Sequence, residues 1–148
     1  MKILITNILR LFFGGLFLHS INADAQNHNM WNTLSKVTIH TTTKAGQTID
    51  VPVFSEELKQ WNGKEIVLKG YIIPLEELRK QNYFVLSRYP FSLCYFCGGA
   101  GVETVIEVNI QKPIPFTEDA ITVKGVLQLN DKSPNHLIFV LNNATKIQ

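Results

Sequence analysis

Two cysteines stand three positions apart in the segment Cys94-Tyr95-Phe96-Cys97-Gly98-Gly99. Because the chain of 148 residues has no other cysteine, each can pair only with the other inside one molecule. The glycines after the second cysteine allow the backbone to turn tightly, so that both sulfur atoms can face one point. The spacing predicts a site of sulfur chemistry in this segment, and three chemical states are open for it.

The first state is a bound soft metal ion. Cys-x-x-Cys-Gly is half of the tetrahedral thiolate site that holds zinc in many small domains. Two thiolates alone suit a soft ion such as Cu(I), or Zn with added ligands. Since the chain has no second cysteine pair, those ligands would come from His40, His136, Glu103, a water molecule or a second subunit.

The second state is a disulfide, which fits an oxidising compartment. Closing so short a loop would stabilise the fold by only about 2 kcal/mol, which favours a labile thiol–disulfide redox element over a structural bridge. Thioredoxin-like chemistry needs the first cysteine at a helix N-terminus, whereas glycines and then a strand follow Cys97. The third state is a pair of reduced thiols that pack as small apolar side chains.

A second candidate metal site depends on processing of the N-terminus. Cleavage after Ala25 would expose Gln26-Asn27-His28, a free amine followed by a histidine at the third position. This arrangement can surround Cu(II) or Ni(II) with four nitrogens in the square-planar geometry that these ions prefer. Cyclisation of Gln26 would remove the amine and with it the site.

The remaining polar and aromatic residues are interpreted as ordinary surface and core. His40, on the polar face of a strand, and His136, in a loop, are most simply solvated histidines. Glu103 and Glu107 alternate along one predicted strand and so share a face, which we expect to be the solvent face. Aromatic side chains concentrate around the cysteines and are predicted to be barrel core rather than the lining of a ligand pocket: Tyr83, Phe84, Tyr89, Phe91, Tyr95 and Phe96.

The first 25 residues have the three parts of a cleavable signal peptide. Lys2 and Arg10 are basic, the run 11–18 is apolar, and Ala23-Asp24-Ala25 supplies the small-x-small cleavage pattern. The apolar run is too short for a membrane-spanning helix, which needs about 20 residues. We therefore expect residues 26–148 to form one exported domain, periplasmic or extracellular, with no membrane attachment after cleavage.

Charge argues against nucleic acid as a partner. Removing the leader takes away Lys2, Arg10 and Asp24 and leaves 12 basic and 11 acidic side chains. A protein that neutralises many phosphates carries a far larger basic surplus. The sequence also lacks Ser-His-Asp, His-Glu-x-x-His and phosphate-loop patterns, so it favours a binding domain over an enzyme.

Alternation of apolar and polar residues predicts an all-β fold. Strands are expected at 36–43, 47–54, 64–73, 83–88, 103–110, 120–129 and 137–141. Short helices are expected at 56–61, capped by Ser55, and at 75–81, opened by Pro74. Turns are expected at Asn62-Gly63 and Lys44-Ala45-Gly46.

Two of the predicted strands carry a glycine near the middle, Gly70 and Gly125. A glycine inside a strand often marks a bulge or a sharp bend, which a small closed barrel needs to turn its corners. The pattern predicts a small Greek-key barrel of the oligonucleotide/oligosaccharide-binding type, with a β-sandwich as the competing fold. This barrel hosts many functions, so the fold alone does not indicate one.

Several short motifs follow one another along the chain: Met30-Trp31-Asn32-Thr33-Leu34, Gly63-Lys64, Gly70-Tyr71-Ile72-Ile73-Pro74-Leu75, Tyr83-Phe84-Val85-Leu86-Ser87, the cysteine segment and Val123-Lys124-Gly125. Their order resembles that of a family of small exported bacterial proteins, domain of unknown function 3299. The resemblance covers nearly all of the chain after the leader. Because the family has no established activity, the resemblance implies location and compactness rather than chemistry.

The cysteine segment departs from the pattern of that family. Some members carry Cys-x-His followed by prolines, where this chain reads Cys94-Tyr95-Phe96-Cys97 and then glycines. If the segments correspond, a cysteine stands near the position of a histidine, a replacement that fits metal ligands better than a disulfide. The sequence as a whole predicts an exported binding or accessory domain centred on the cysteines. A thiol–disulfide redox protein and a partner-docking module without chemistry are the alternatives.

Overall fold

The computed structural model of the chain describes residues 30–44, 46–73 and 80–148. Within them lie two short helices, residues 30–34 (α1) and Glu56–Lys59 (α2). Seven strands make up most of the rest: β1 (Val37–Lys44), β2 (Gln47–Phe54), β3 (Glu65–Ile73), β4 (Lys80–Ser87), β5 (Val105–Pro115), β6 (Ile121–Leu129) and β7 (Phe139–Lys146). Three 3-10 turns lie between β4 and β5, at Phe91–Leu93, Tyr95–Cys97 and Val102–Thr104.

Five strands close into a barrel in the order β3-β4-β5-β7-β6, and β6 pairs again with β3. Every neighbouring pair is antiparallel except β5 and β7, which run parallel. A five-stranded Greek-key barrel with this order is of the oligonucleotide/oligosaccharide-binding type, so the predicted fold is confirmed. The first two strands form a separate antiparallel hairpin.

The two mid-strand glycines lie where the barrel changes direction. β3 pairs with β6 up to Gly70, and from Tyr71 onward it pairs with β4. A Cβ atom on Gly70 would collide with the carbonyl oxygen of Ser87, so only glycine allows the strands to approach this closely. The register of β6 against β7 shifts at Gly125, where a Cβ atom would lie 2.9 Å from the carbonyl oxygen of Asn142.

The main core fills the barrel and continues into the segment before it. Inward residues alternate along the strands, for example Ile106, Val108 and Ile110 of β5. Residues of α1 and α2 also belong to this core, among them Met30, Trp31, Leu34 and Leu58. The Trp31 indole N–H also donates a hydrogen bond of 2.9 Å to the carbonyl oxygen of Lys69 in β3.

Most predicted elements are present, with shifted ends. The hydroxyl of Ser55 accepts a hydrogen bond from the Leu58 N–H at 3.2 Å, as expected of a helix cap. β5 begins at Val105 rather than Glu103, which lies in a 3-10 turn, and residues 80–81 belong to β4 rather than to a helix. The other residues of that predicted helix, 75–79, lie outside the described residues.

The predicted signal peptide, residues 1–25, and the candidate copper ligands Gln26 and His28 also lie outside the described residues. Among the residues that are described, no helix combines the length and the hydropathy needed to cross a membrane.

Candidate functional site

Residues 88–104, hereafter the cysteine loop, connect β4 to β5. Its two ends are joined by a hydrogen bond of 2.9 Å from the Arg88 N–H to the carbonyl oxygen of Thr104. The hydroxyl of Thr104 donates to the carbonyl oxygen of Gly101 at 2.7 Å. Arg88 also donates from its guanidinium to the Asn32 side chain at 3.3 Å, which links the loop to α1. The backbone of the loop is therefore fixed at its base.

The two cysteines lie on a tight turn, as their sequence context predicts. The carbonyl oxygen of Cys94 accepts hydrogen bonds from the N–H groups of Cys97 at 3.1 Å and Gly99 at 3.2 Å. Gly98 ends the turn with φ of 76°, a left-handed conformation that favours glycine. The turn brings the two cysteine side chains to 4.2 Å from each other.

The two thiols occupy different environments. Cys94 is fully buried and packs in a second apolar cluster with Ile73, Val85 and Val105. These three side chains lie on the outer face of the barrel sheet, because their neighbours along each strand fill the interior. Cys94 therefore anchors the cysteine loop onto the outside of the barrel, whereas Cys97 is exposed.

The local electrostatics reduce the reactivity of the exposed thiol. Desolvation raises the pKa of Cys97, and the charge of Cys94 and its hydrogen bond raise that pKa further. A thiol with a raised pKa is mostly protonated at neutral pH, and the thiolate is the form that attacks disulfides. The turn at Tyr95–Cys97 is a single 3-10 turn, not the start of a longer helix. The geometry gives no support for thioredoxin-like chemistry.

The predicted additional metal ligands lie on three separate elements. His40 is exposed on β1, in the hairpin outside the barrel. His136 lies in the segment between β6 and β7, and Glu103 lies half-buried in the 3-10 turn before β5. Within residues 30–44, 46–73 and 80–148, no three His, Cys, Asp or Glu side chains lie together as a metal site would require.

Glu107 is buried, and its predicted place on a solvent face is wrong. Only 3% of the residue is exposed, although it points to the outside of the barrel. The segment between β6 and β7 covers it: the Nδ1 atom of His136 lies 2.8 Å from one carboxylate oxygen, and the Leu137 N–H donates to the other. The His136 side chain is half exposed, and its imidazole is in addition held by a carboxylate.

Tyr83 completes this polar cluster. Burial raises the pKa of Tyr83, and the hydrogen bond to Glu107 and the negative charge of that carboxylate raise it further. The Glu107 carboxylate therefore receives donors from β4, from His136 and from the backbone of the β6–β7 segment. When Nδ1 of a neutral His136 donates to Glu107, Nε2 is left as an acceptor.

His136 borders a cleft of about 580 Å³ between the β1–β2 hairpin and the β6–β7 segment, which Asp50 and Lys132 also line. The cluster around Glu107 can hold one imidazole in a fixed orientation at the edge of this cleft. The sequence carried no signal for it, because its members lie far apart in the chain and become neighbours only when the barrel closes.

Most aromatic side chains of the cysteine loop are not core, which corrects the prediction for them. Phe84 is fully buried in the barrel, and Tyr83 is half-buried. The loop instead exposes a row of large side chains: Tyr89 37%, Phe91 62%, Leu93 57%, Tyr95 39% and Phe96 49%. The physical reason is that the loop lies outside the barrel, where Cys94 takes the inward position and its neighbours point away.

No protein-family model matches the sequence, and no curated protein matches it. The chain is similar to a crystal structure of a DUF3299 family protein from Pseudomonas aeruginosa, with 19% sequence identity and a TM-score of 0.47. The similarity covers 82% of this chain and 81% of that chain.

Proposed function

We propose that the chain is an exported accessory domain that binds another protein through the cysteine loop. One observation carries this proposal: Phe91, Leu93 and Phe96 are about half or more exposed on a loop whose base is fixed by hydrogen bonds. Contiguous exposed apolar patches on folded proteins commonly mark interaction sites. The leader-like sequence of residues 1–25 supports export, and the small net charge supports a partner other than nucleic acid.

The position of Cys94 explains how the loop presents these side chains. Because Cys94 is buried against the barrel, the adjacent Leu93 and Tyr95 are directed to solvent. The rings of Tyr95 and Phe96 also pack edge to face, with centroids 5.3 Å apart. A surface ordered before binding loses little conformational entropy when a partner docks. Aromatic side chains are also the common anchors of protein interfaces. The expected occupant is a protein of the same compartment with an apolar groove.

Site-specific photocrosslinking tests this proposal in cells that express the full chain. A photoreactive phenylalanine analogue at Phe96 should give one discrete protein adduct, and the same analogue at the exposed Lys112 of β5 should not. The purified partner should then bind the Leu93→Ser/Phe96→Ser variant at least tenfold more weakly than the unmodified chain, while the variant remains folded. The absence of a protein adduct at Phe96, or equal adducts from both positions, would contradict the proposal.

A soft metal ion on the two thiols is the second candidate function, and the turn geometry favours it. Two thiolates bound to one zinc ion lie about 3.8 Å apart, given Zn–S bonds of about 2.3 Å. The two cysteines lie 4.2 Å apart, which is close to that separation. With no third ligand from the described residues, an ion of low coordination number such as Cu(I) fits better than zinc.

Elemental analysis with thiol counting separates the chemical states of the cysteines. The protein should be taken from its native compartment without reductant. A soft-metal site gives stoichiometric metal that is released as pH falls, and Cys97→Ser abolishes it. A mass two hydrogens lighter, with no free thiols, supports the redox alternative. Two free thiols without metal binding leave Cys94 as a packing residue and the docking role as the function of the loop.

A further inference from the structure

A cleft of about 570 Å³ opens between the cysteine loop and the barrel. Three aromatic residues from three elements line it: Tyr71 of β3, Phe91 of the cysteine loop and Phe116, just after β5. Its volume lies in the range of small-molecule sites, which is about 300–1,000 Å³. Phe91 belongs both to this cleft and to the exposed row of the cysteine loop, whereas Leu93, Tyr95 and Phe96 do not line the cleft.

The charge of the cleft indicates what it can bind. Of the described residues that line it, Glu118 is the one that carries a charge, and that charge is negative. Ile72, Pro90 and Ser92 complete the lining. A cation is therefore favoured over an anion, and most of the surface that meets it is aromatic or apolar.

Aromatic walls with one carboxylate select among cations. A primary ammonium group has three N–H donors and needs hydrogen-bond acceptors around it when it leaves water. A quaternary ammonium group has no donor, and its diffuse charge is stabilised by the negative faces of aromatic rings. We propose that the cleft bounded by Tyr71, Phe91, Phe116 and Glu118 binds a quaternary ammonium group.

The cleft is larger than the ammonium group alone, so it also leaves room for a substituent. The same group occurs in free choline-type compounds and in the headgroups of choline lipids. Both share the chemistry that the aromatic residues and Glu118 recognise. This site does not depend on the docking role of the cysteine loop, because its ligand is a small molecule and its rings come largely from the barrel.

Isothermal titration of the mature chain with choline and with glycerophosphocholine tests the proposal and distinguishes the two sources. The neutral isostere 3,3-dimethylbutan-1-ol has the shape of choline without the charge and should bind at least tenfold more weakly. Phe91→Leu and Glu118→Gln should each weaken binding about 3- to 30-fold, as expected for loss of one cation–aromatic or ion-pair contact. Phe91 is 62% exposed, so its replacement leaves the core intact.

Phe96→Leu is the matched control, because it removes an aromatic ring from the same loop but outside the cleft. It should bind choline like the unmodified chain. Three results would overturn the proposal: no binding of either choline compound, equal binding of the neutral isostere, or binding that is unchanged in both Phe91→Leu and Glu118→Gln. Loss of protein docking in the photocrosslinking experiment would leave this result unaffected, so the two proposals fail separately.

Discussion

Cys94 and Cys97 have the same side chain but lie in different environments. Cys94 is a buried apolar contact that fixes the cysteine loop to the outer face of the barrel, and Cys97 is exposed at the end of the turn. If the pair binds a metal, the ion must therefore approach from the side of Cys97. If the pair has no chemistry, only Cys94 is needed for the fold.

Serine replacements distinguish the buried packing position of Cys94 from the exposed position of Cys97. Cys94→Ser places a hydroxyl in an apolar cluster where the Cys97 thiol is only a weak hydrogen-bond partner, so the free energy of unfolding should fall by about 1–3 kcal/mol. Cys97→Ser, at an exposed position, should change it by no more than about 0.5 kcal/mol. Urea unfolding of both variants under reducing conditions gives the comparison. Equal losses of unfolding free energy in the two variants would show that the burial of Cys94 does not stabilise the fold.

Tyr83 should make stability depend on pH in the alkaline range. Its pKa is raised in the folded chain above the ordinary value of about 10, chiefly by burial and then by Glu107. The neutral phenol is the form that the fold stabilises. That contribution is complete below pH 10 and is lost as pH rises through the folded pKa. Relative to Tyr83→Phe, the unmodified chain should lose free energy of unfolding above pH 10.

Absorbance at 295 nm, which follows tyrosinate formation, provides a direct check on Tyr83. The unmodified chain should show one more tyrosine titrating above pH 10 than the Tyr83→Phe variant. Identical alkaline stability curves for the two proteins, measured by urea unfolding, would exclude the raised pKa. The comparison does not require Glu107 to be changed, so it avoids a variant that leaves His136 without its partner.

Glu107 shows why part of the polar chemistry was hidden in the sequence. Alternation along β5 placed it correctly on the face opposite to Ile106 and Val108. Alternation cannot show whether a later segment covers that face, and the segment with His136 and Leu137 arrives from about 30 positions further on. The direction of the side chain was predictable, but its burial was not.

At the scale of elements, Gly70 shows how one residue shapes the barrel. β3 exchanges its partner from β6 to β4 between Gly70 and Tyr71, and the carbonyl oxygen of Ser87 occupies the space of a Cβ atom. Gly70→Ala should therefore lower the free energy of unfolding by at least about 2 kcal/mol through overpacking.

Gly63→Ala is a suitable control for this prediction. Gly63 has φ of 77°, but no atom lies within 4 Å of a Cβ placed there. Its replacement should cost about 1 kcal/mol from backbone strain alone. Thermal or urea unfolding of both variants provides the measurement. A smaller loss of unfolding free energy for Gly70→Ala than for Gly63→Ala would mean that β3 and β4 can move apart near Gly70 without a cost in stability.

The strands were predictable because their signal is local. β2 has the predicted bounds, and the glycines of β3 and β6 correctly indicated bends. The cysteine loop was not predictable in the same way. Its aromatic residues are of the types that usually form cores. They lie outside the barrel because residues such as Phe84 and Phe139 already fill its interior. Composition indicated which residues are apolar, whereas the available interior volume determined which are buried.

At the scale of the whole molecule, the segment before the barrel belongs to its core. Trp31 and Leu34 of α1 and Leu58 of α2 join the cluster that fills the barrel. Phe54, at the end of β2, packs on Phe139 of β7, with ring centroids 6.0 Å apart. All of these residues lie at position 30 or later, so they remain in the chain after cleavage at Ala25.

If α1 and the barrel share one core, they should unfold together. The two tryptophans of the chain, Trp31 and Trp61, both lie in the segment before the barrel, so their fluorescence reports on it. Far-UV circular dichroism reports mainly on the strands. The two urea unfolding curves should coincide, as for a single cooperative transition.

Leu34→Ala should lower the free energy of unfolding obtained from both curves by about 2–5 kcal/mol, because it opens a cavity at a fully buried position. Ser35→Ala, at an exposed neighbouring position, should change neither free energy of unfolding by more than about 0.5 kcal/mol. A fluorescence curve that moves to lower urea while the dichroism curve stays in place would show that α1 is only attached to the barrel.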